Sequence, residues 1–187
     1  MNKITRILLR PFALIYELIV RLRNWLYACG WMKVYKAPIP VISIGNITLG
    51  GTGKTPLTIN IAKRLIAEGK KVAILSRGYR RKSSGMVVVS NGNELLCGVE
   101  QAGDEPYLIA QSVPKAVVIV AARRVDAAHM AVDNFQPDVI LLDDGFQHRA
   151  MGRSCDIVLV DCEHELLKDC MFPAGSLREP ISELRRA

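Results

Sequence analysis

The sequence predicts an α/β protein with a doubly wound, mostly parallel sheet, preceded by an N-terminal amphipathic helix. Three observations predict it. Five short apolar runs alternate with helix-patterned stretches, the signature of strands buried on both faces. The first run leads through Gly50-Gly51-Thr52-Gly53-Lys54-Thr55 into a helical stretch, the strand, glycine loop and helix of a P-loop NTPase-like fold. Third, each run is followed at its C-terminal end by charged or polar residues, and in open α/β sheets ligands bind at that end.

The basic N-terminal arm comes first. Residues 1–36 hold seven Lys and Arg against Glu17 alone, whereas the rest of the chain carries 18 basic and 17 acidic groups. The net charge of +7 is therefore a property of the arm. A nucleic-acid-binding domain carries its basic face on the folded body, so the nearly neutral body argues against a nucleic-acid partner. At 100° per residue, Lys3, Arg6, Arg10, Glu17, Arg21 and Asn24 fall within about 40° of one direction. Leu8, Phe12, Ile15, Ile19, Leu22 and Leu26 lie away from that stripe, and Trp25, Tyr27 and Trp31 supply amphipathic rings. Charge-free apolar stretches such as Pro11 to Tyr16 are far below the roughly twenty residues of a membrane span. Glu17 and Arg21 also break the apolar region of a secretory signal. The arm reads as an interfacial helix over anionic lipids, started or kinked by Pro11. The alternative is a helix packed on the protein's own core or on a partner.

Beyond Ala37-Pro38-Ile39-Pro40 the core, 37–187, begins. Expected strands are Val41–Ile44, Lys71–Ser76, Ala116–Ala121, Val139–Asp143 and Asp156–Asp161; expected helices are Pro56–Glu68, Pro106–Gln111 and Val125–Asn134. Met86–Val89 with Ser90-Asn91-Gly92-Asn93 reads as a hairpin arm and its turn. The five cysteines form no CxxC pair and fit a reducing compartment. Cys155, Cys162, His164 and Cys170 match no zinc spacing and read as ordinary thiols.

The chemistry follows from the strand ends. Gly50, Gly51, Thr52 and Gly53 would let main-chain N–H groups approach a triphosphate. Lys54 would reach its β/γ oxygens, and Thr55 would ligate Mg²⁺. Thr48 stands where the general pattern has glycine. Asp143, ending an apolar run, has the form of the carboxylate that holds Mg²⁺ beside such a loop. Asp144 either supports that ligand or orients a nucleophile. Gly103-Asp104-Glu105-Pro106 opens a helix. Either Asp104 or Glu105 caps it with Pro106 at the first helical position, or Asp104 accepts a hydroxyl proton during phosphoryl transfer. His148 is a structural residue, a phosphate contact or a relay. No Asn/Thr-Lys-x-Asp element for guanine follows the last run, which favours ATP over GTP.

With these motifs in hand, the chain resembles the tetraacyldisaccharide 4′-kinase family, the lipid A kinases of Gram-negative bacteria. The matching stretches are PVISIGNITLGGTGKTP (40–56), SRGYRRK (76–82), GDEP (103–106), PDVILLDDGFQHR (137–149), DIVLVD (156–161) and PAGSLREP (173–180). The family shares Thr48, and DDGFQHR is the most diagnostic block. The resemblance implies phosphorylation, by ATP with Mg²⁺, of the 4′-hydroxyl of a tetraacylated glucosamine disaccharide 1-phosphate, giving lipid IVA. It places that work on the cytoplasmic face of the inner membrane, peripherally bound. By position, Lys54 and Thr55 serve the phosphates and Mg²⁺, and Asp143 and Asp144 the metal side, with Glu105 a further metal-side candidate. Asp104 resembles the catalytic base; Arg77, Tyr79, Arg123, His148 and Arg178 are candidates for substrate or anion contacts. Family members run on past the equivalent of Ala187 into further strands, a smaller domain and a histidine that acts with the aspartate. His129, His148 and His164 do not match it. The chain thus looks truncated, with an open sheet edge, marginal solubility and weak or absent kinase activity as expectations. Two other readings stay open: a non-catalytic nucleotide-binding membrane module, and a P-loop GTPase of metallochaperone type.

Overall fold

The computed structural model describes residues 3–163 and 165–187. The Lys3 side chain and His164, both part of patterns noted above, lie outside the described residues. Six strands form one sheet: β1 (Val41–Asn46), β2 (Val72–Ser76), β3 (Val87–Asn91), β4 (Val117–Val120), β5 (Val139–Asp143) and β6 (Cys155–Leu159). Their spatial order is β3-β4-β2-β5-β1-β6. All neighbours are parallel except β3, which lies antiparallel on β4.

This order positions the site. β5 sits between β1 and β2, with Ile44 opposite Asp143 and Leu75 opposite Leu142. The acidic end of β5 therefore emerges between the glycine loop that follows β1 and the end of β2.

Period-two alternation along the strands feeds two cores. Ile74, Val118, Val120 and Leu141 face Ala62 of α2 (Lys54–Ala67) and Ile109 and Ala110 of α4 (Asp104–Ser112). Ala73, Leu75, Ile119, Ile140 and Leu142 face Ala127, Ala128 and Ala131 of α5 (Arg124–Phe135). The alanines let α5 lie close to the sheet. A short α3 (Val99–Ala102) and two 3₁₀ turns, Leu166–Lys168 and Ile181–Arg186, had no periodicity long enough to announce them.

Several boundaries differ from the sequence reading. α2 begins at Lys54, so Pro56 is its third residue, and β6 lies at Cys155–Leu159 instead of Asp156–Asp161. The Asn-Gly turn forms: Asn91 Oδ1 accepts from the amides of Asn93 (2.9 Å) and Glu94 (3.0 Å), with Gly92 at φ 87°. Its return arm is only a bridge, Ser90 to Leu95, and β3 takes its main partner from β4.

The N-terminal helix α1 (Lys3–Ala28) runs through Pro11. Proline at this position neither starts it nor ends it. A narrow seam of Ala13 and Val20, flanked by Leu9 and Tyr16, packs on Ile47, Met171, Ala174 and Leu177. The polar stripe turns toward the body: Arg6 Nη2 donates to Lys168 O (2.9 Å), Asn24 is buried, and Arg10, Glu17 and Arg21 line a cavity of about 580 Å³ against residues 169–182. Ile4, Ile7, Leu8, Phe12, Leu14, Ile15, Leu18, Ile19, Leu22 and Trp25 face outward. No helix among the described residues is long and apolar enough to cross a membrane.

Candidate active site

The chain leaves β1 through Ile47–Gly53 and re-enters as α2. Gly50 (φ 113°) and Gly53 (φ 80°) take left-handed backbone that a side chain would strain. Gly53 is the N-cap of α2 and no side chain caps the helix, so the first-turn amides and the positive end of its dipole face the space over the loop. Asn46 Nδ2 and Lys54 Nζ both donate to Gly50 O, at 3.3 and 3.4 Å, and draw the loop into an arc. Thr52 Oγ1 is buried with no protein partner in the structure, a polar atom facing an acceptor the protein does not supply. Gly51 is exposed, and Thr55 lies half-buried in the first turn of α2.

Asp143 ends β5 only 1 % exposed. Thr58 Oγ1 donates to its Oδ1 (3.2 Å) and Ser76 Oγ to its Oδ2 (3.3 Å). Burial pushes its pKa up to about 6, aided by the charges of Glu105 and Asp144 and opposed by the two hydroxyl donors. A carboxylate so placed gains strongly from a bound cation. Among the described residues no three His, Cys, Asp or Glu side chains converge as a metal cage. Mg²⁺ is held through one or two protein oxygens plus phosphate oxygens and water, and the Asp143 carboxylate is of the type to supply one.

Asp144 follows in the left-handed region at φ 51°, which swings its carboxylate toward the loop. Lys54 Nζ lies 3.7 Å from its Oδ1, and Arg178 Nη1 donates to both its oxygens at 3.0 Å. The next two residues explain the DDGF motif. A Cβ on Gly145 would sit 2.6 Å from Leu142 Cβ, and one on Gly45 would sit 2.6 Å from Phe146 Cβ. The turn after the acidic pair closes on β1 with no room for either.

A basic group borders the acidic pair. Arg124 is buried, donates to Ala122 O (3.3 Å) and Asp144 O (3.4 Å), and has its pKa lowered to about 10 by burial and then by Arg77. His148 is half-buried; burial, then Arg124, Arg153 and Arg77, lower its pKa to about 4, so its imidazole is neutral near pH 7. Its Nε2 has no protein partner in the structure.

The structure thus brings together Lys54, Asp143, Asp144, Arg178, Arg77 and His148, with Glu105 close enough for its charge to act on Asp143. Asp104 and Glu105 are exposed at the start of α4. Neither caps it: the N-cap is Gly103 (φ 89°), and Pro106 is the third helical residue, not the first. Two candidates stand exposed, outside this cluster. Tyr79 is 70 % exposed under Arg80, and Arg123 pairs with Asp126 (3.7 Å) on the surface. It is Arg124, the following residue, that turns inward. The sequence reading noted the Arg123-Arg124 pair but chose Arg123, and it passed over Thr58 and Ser76. For Thr58 the signal was the buried helix face that it shares with Ala62.

The family model described as tetraacyldisaccharide-1-P 4′-kinase matches residues 5–187. Relatives named tetraacyldisaccharide 4′-kinase include those of Chlorobium chlorochromatii, 44 % identical over all of this chain and 51 % of the relative, and Aquifex aeolicus, 46 % identical over 96 % of this chain and 56 % of the relative. A crystal structure of the "apo" form of LpxK from Aquifex aeolicus in complex with ATP superposes with a TM-score of 0.91 at 45 % identity, over 98 % of this chain and 57 % of that one. This chain therefore spans about half the length of the relatives it matches. With the family model matching residues 5–187 and the fold in agreement over 98 % of it, the chain belongs to the tetraacyldisaccharide 4′-kinase family.

Proposed function

We propose that this chain carries the nucleotide site of a lipid kinase, which uses ATP and Mg²⁺ to phosphorylate the 4′-hydroxyl of tetraacyldisaccharide 1-phosphate and yields lipid IVA. The observation that carries the reading is the meeting of Lys54 and Asp144 at 3.7 Å, beside buried Asp143 and under the uncapped start of α2. Cation, carboxylates and helix dipole there converge on a space suited to a triphosphate.

In this reading the amides of Gly50–Gly53 and the Lys54 ammonium bind the phosphates. Thr55 and Asp143 hold Mg²⁺, with Glu105 beside them. The cation, when bound, offsets negative charge on the transferring phosphoryl group. Asp144 keeps Lys54 and Arg178 oriented. Asp104 accepts the proton of the attacking hydroxyl. Arg77 and Arg124, around neutral His148, present cationic groups to an anionic substrate, with Tyr79 and Arg123 at the rim. Residues 37–187 form the kinase core, and residues 1–36 the membrane-interface arm. The outward apolar face of α1 lies in the acyl boundary of the cytoplasmic leaflet of the inner membrane, where a four-chain substrate resides.

The test is transfer of labelled γ-phosphate from ATP to the micellar disaccharide, together with direct titration of Mg·ATP. Lys54→Ala is expected to weaken ATP binding at least tenfold. Unchanged affinity in that variant overturns the nucleotide site. Binding without transfer in the parent chain replaces the kinase by a non-catalytic nucleotide-binding module, and preference for GTP with hydrolysis by a GTPase.

A further inference from the structure

Glu179 is completely buried, yet its carboxylate is shared by arginines from opposite ends of the chain. Arg23 of α1 donates to Oε1, and Arg186 of the last 3₁₀ turn donates to Oε2. Arg186 also donates through Nη1 to Phe146 O (3.3 Å), and its guanidinium lies 4.1 Å over the Phe146 ring. Phe146 is two residues past Asp144.

The neighbouring Arg178 is held just as tightly. Its amide donates to Ile47 O (2.8 Å) at the base of the glycine loop, and its carbonyl accepts from Tyr16 of α1 (3.0 Å). Its guanidinium grips Asp144, which faces Lys54. Residues 178–179 thus receive α1 on one side and hold both arms of the site on the other.

Buried ion pairs of this kind add little net stability over an apolar replacement, but they fix geometry. A constellation of charges tolerates displacement of only about 0.5 Å. The Arg178 side chain starts from a backbone whose carbonyl is tied to α1, so the seating of the helix sets where the guanidinium arrives.

We propose that Glu179 is a positioning residue for the nucleotide site, and that with Tyr16 and Arg23 it couples the seating of α1 to the Arg178–Asp144–Lys54 chain. The inference rests on the nucleotide reading above and adds a control that runs from the helix to the site.

The experiment titrates a fluorescent N-methylanthraniloyl ATP with Mg²⁺ into the full chain and into Tyr16→Phe, Arg23→Lys and Glu179→Gln. Tyr16→Phe and Glu179→Gln are expected to weaken binding on the order of fivefold or more, while Arg23→Lys, which keeps a donor for Glu179, retains most of the affinity. In an Arg178→Lys background, Tyr16→Phe is expected to cost nothing further, because the effect passes through Arg178. Equal losses in both backgrounds, or full affinity in Tyr16→Phe, overturn the proposal. Should Glu179→Gln fail to fold, Tyr16→Phe still decides, since the ring keeps its packing. Hydrogen exchange without nucleotide gives a separate reading: Tyr16→Phe should speed exchange at the amides of Leu49, Gly145 and Arg178 and leave β2 and β4 protected. Unchanged rates at all three also overturn it. If the parent chain binds no nucleotide analogue, the functional reading falls and the exchange rates alone decide the coupling.

Discussion

Thr58 Oγ1, one turn into α2, lies 3.2 Å from Asp143 Oδ1 inside the fold and shares its one proton between that oxygen and Lys54 O at 3.0 Å. The phosphate-loop helix is thereby tied to the acidic strand end by a bond that neither motif contains. Ser76, at the end of β2, takes the other oxygen. Thr58→Val keeps the shape and removes the donor, leaving a buried oxygen unsatisfied. The expected cost is roughly 1–3 kcal/mol in urea unfolding, with Thr58→Ser close to the parent. A Thr58→Val midpoint equal to the parent's would show that the bond does not hold the two elements together.

The pH dependence of stability has two opposed parts. Asp143 is raised from 3.8 to about 6, so the folded state holds its proton longer than the unfolded chain does, and stability falls as pH rises from about 4 to about 6. His148 is lowered from 6.5 to about 4. Its contribution is complete above about 6.5 and is lost as pH falls toward 4. The two slopes oppose one another, so the parent protein should show a shallow profile between pH 4 and 6. Asp143→Asn should then gain thermal stability with rising pH over that range, and His148→Gln should lose it. Parallel profiles for the two variants would contradict the assignment. In the parent, Mg²⁺-dependent ATP affinity should drop as pH falls below about 6, because the metal-side carboxylate is then protonated.

The sheet was legible because its strands are runs of β-branched and aliphatic residues broken by glycine and charge. Asp143 stood out because a carboxylate ending such a run, common by itself, is here paired with the upstream Gly53-Lys54-Thr55. The rest needed three dimensions. Which of Arg123 and Arg124 turns inward depends on the rotation at which α5 begins, and neighbouring arginines look alike in sequence. Ser76 is one hydroxyl among many until its strand is known to flank β5. Glu179 meets Arg23 across 156 residues, beyond any local pattern. The periodicity of α1 divided its faces correctly but carried no sign of which face turns in. The small seam of Ala13 and Val20 decides that, and the larger side chains stay outside.

Glycine packing gives a third prediction. Gly45→Ala would place a methyl 2.6 Å from Phe146 Cβ and 2.8 Å from Phe146 N. Backbone cannot yield as a side-chain tip does, so β1 and the turn carrying Asp143 and Asp144 must separate. The expected loss is about 1–3 kcal/mol, with a fall in nucleotide affinity beyond what residual folding accounts for. Full affinity in the folded fraction would show that the turn relaxes without moving the carboxylates.

The fourth prediction concerns how α1 meets a membrane. Arg6, Arg21 and Arg23 each face a carboxylate of the protein itself: Asp169 at 3.8 Å, Glu17 at 2.6 Å and the buried Glu179. Three of the helix's arginines are therefore engaged within the fold, while Leu8, Phe12, Ile15, Leu18 and Ile19 stand exposed. Burying one such side chain gains about 1.5–3 kcal/mol, against about 1 kcal/mol for a basic residue near an anionic surface. Vesicle binding should accordingly follow apolar area more than lipid charge. Ile15→Asp with Leu18→Asp is expected to lower partitioning more than tenfold. Replacing neutral phosphatidylcholine vesicles by a mixture with phosphatidylglycerol should change it less than that double substitution does. Sedimentation with vesicles measures both, and a charge dependence larger than the substitution effect would put the arginines, not the apolar face, at the membrane.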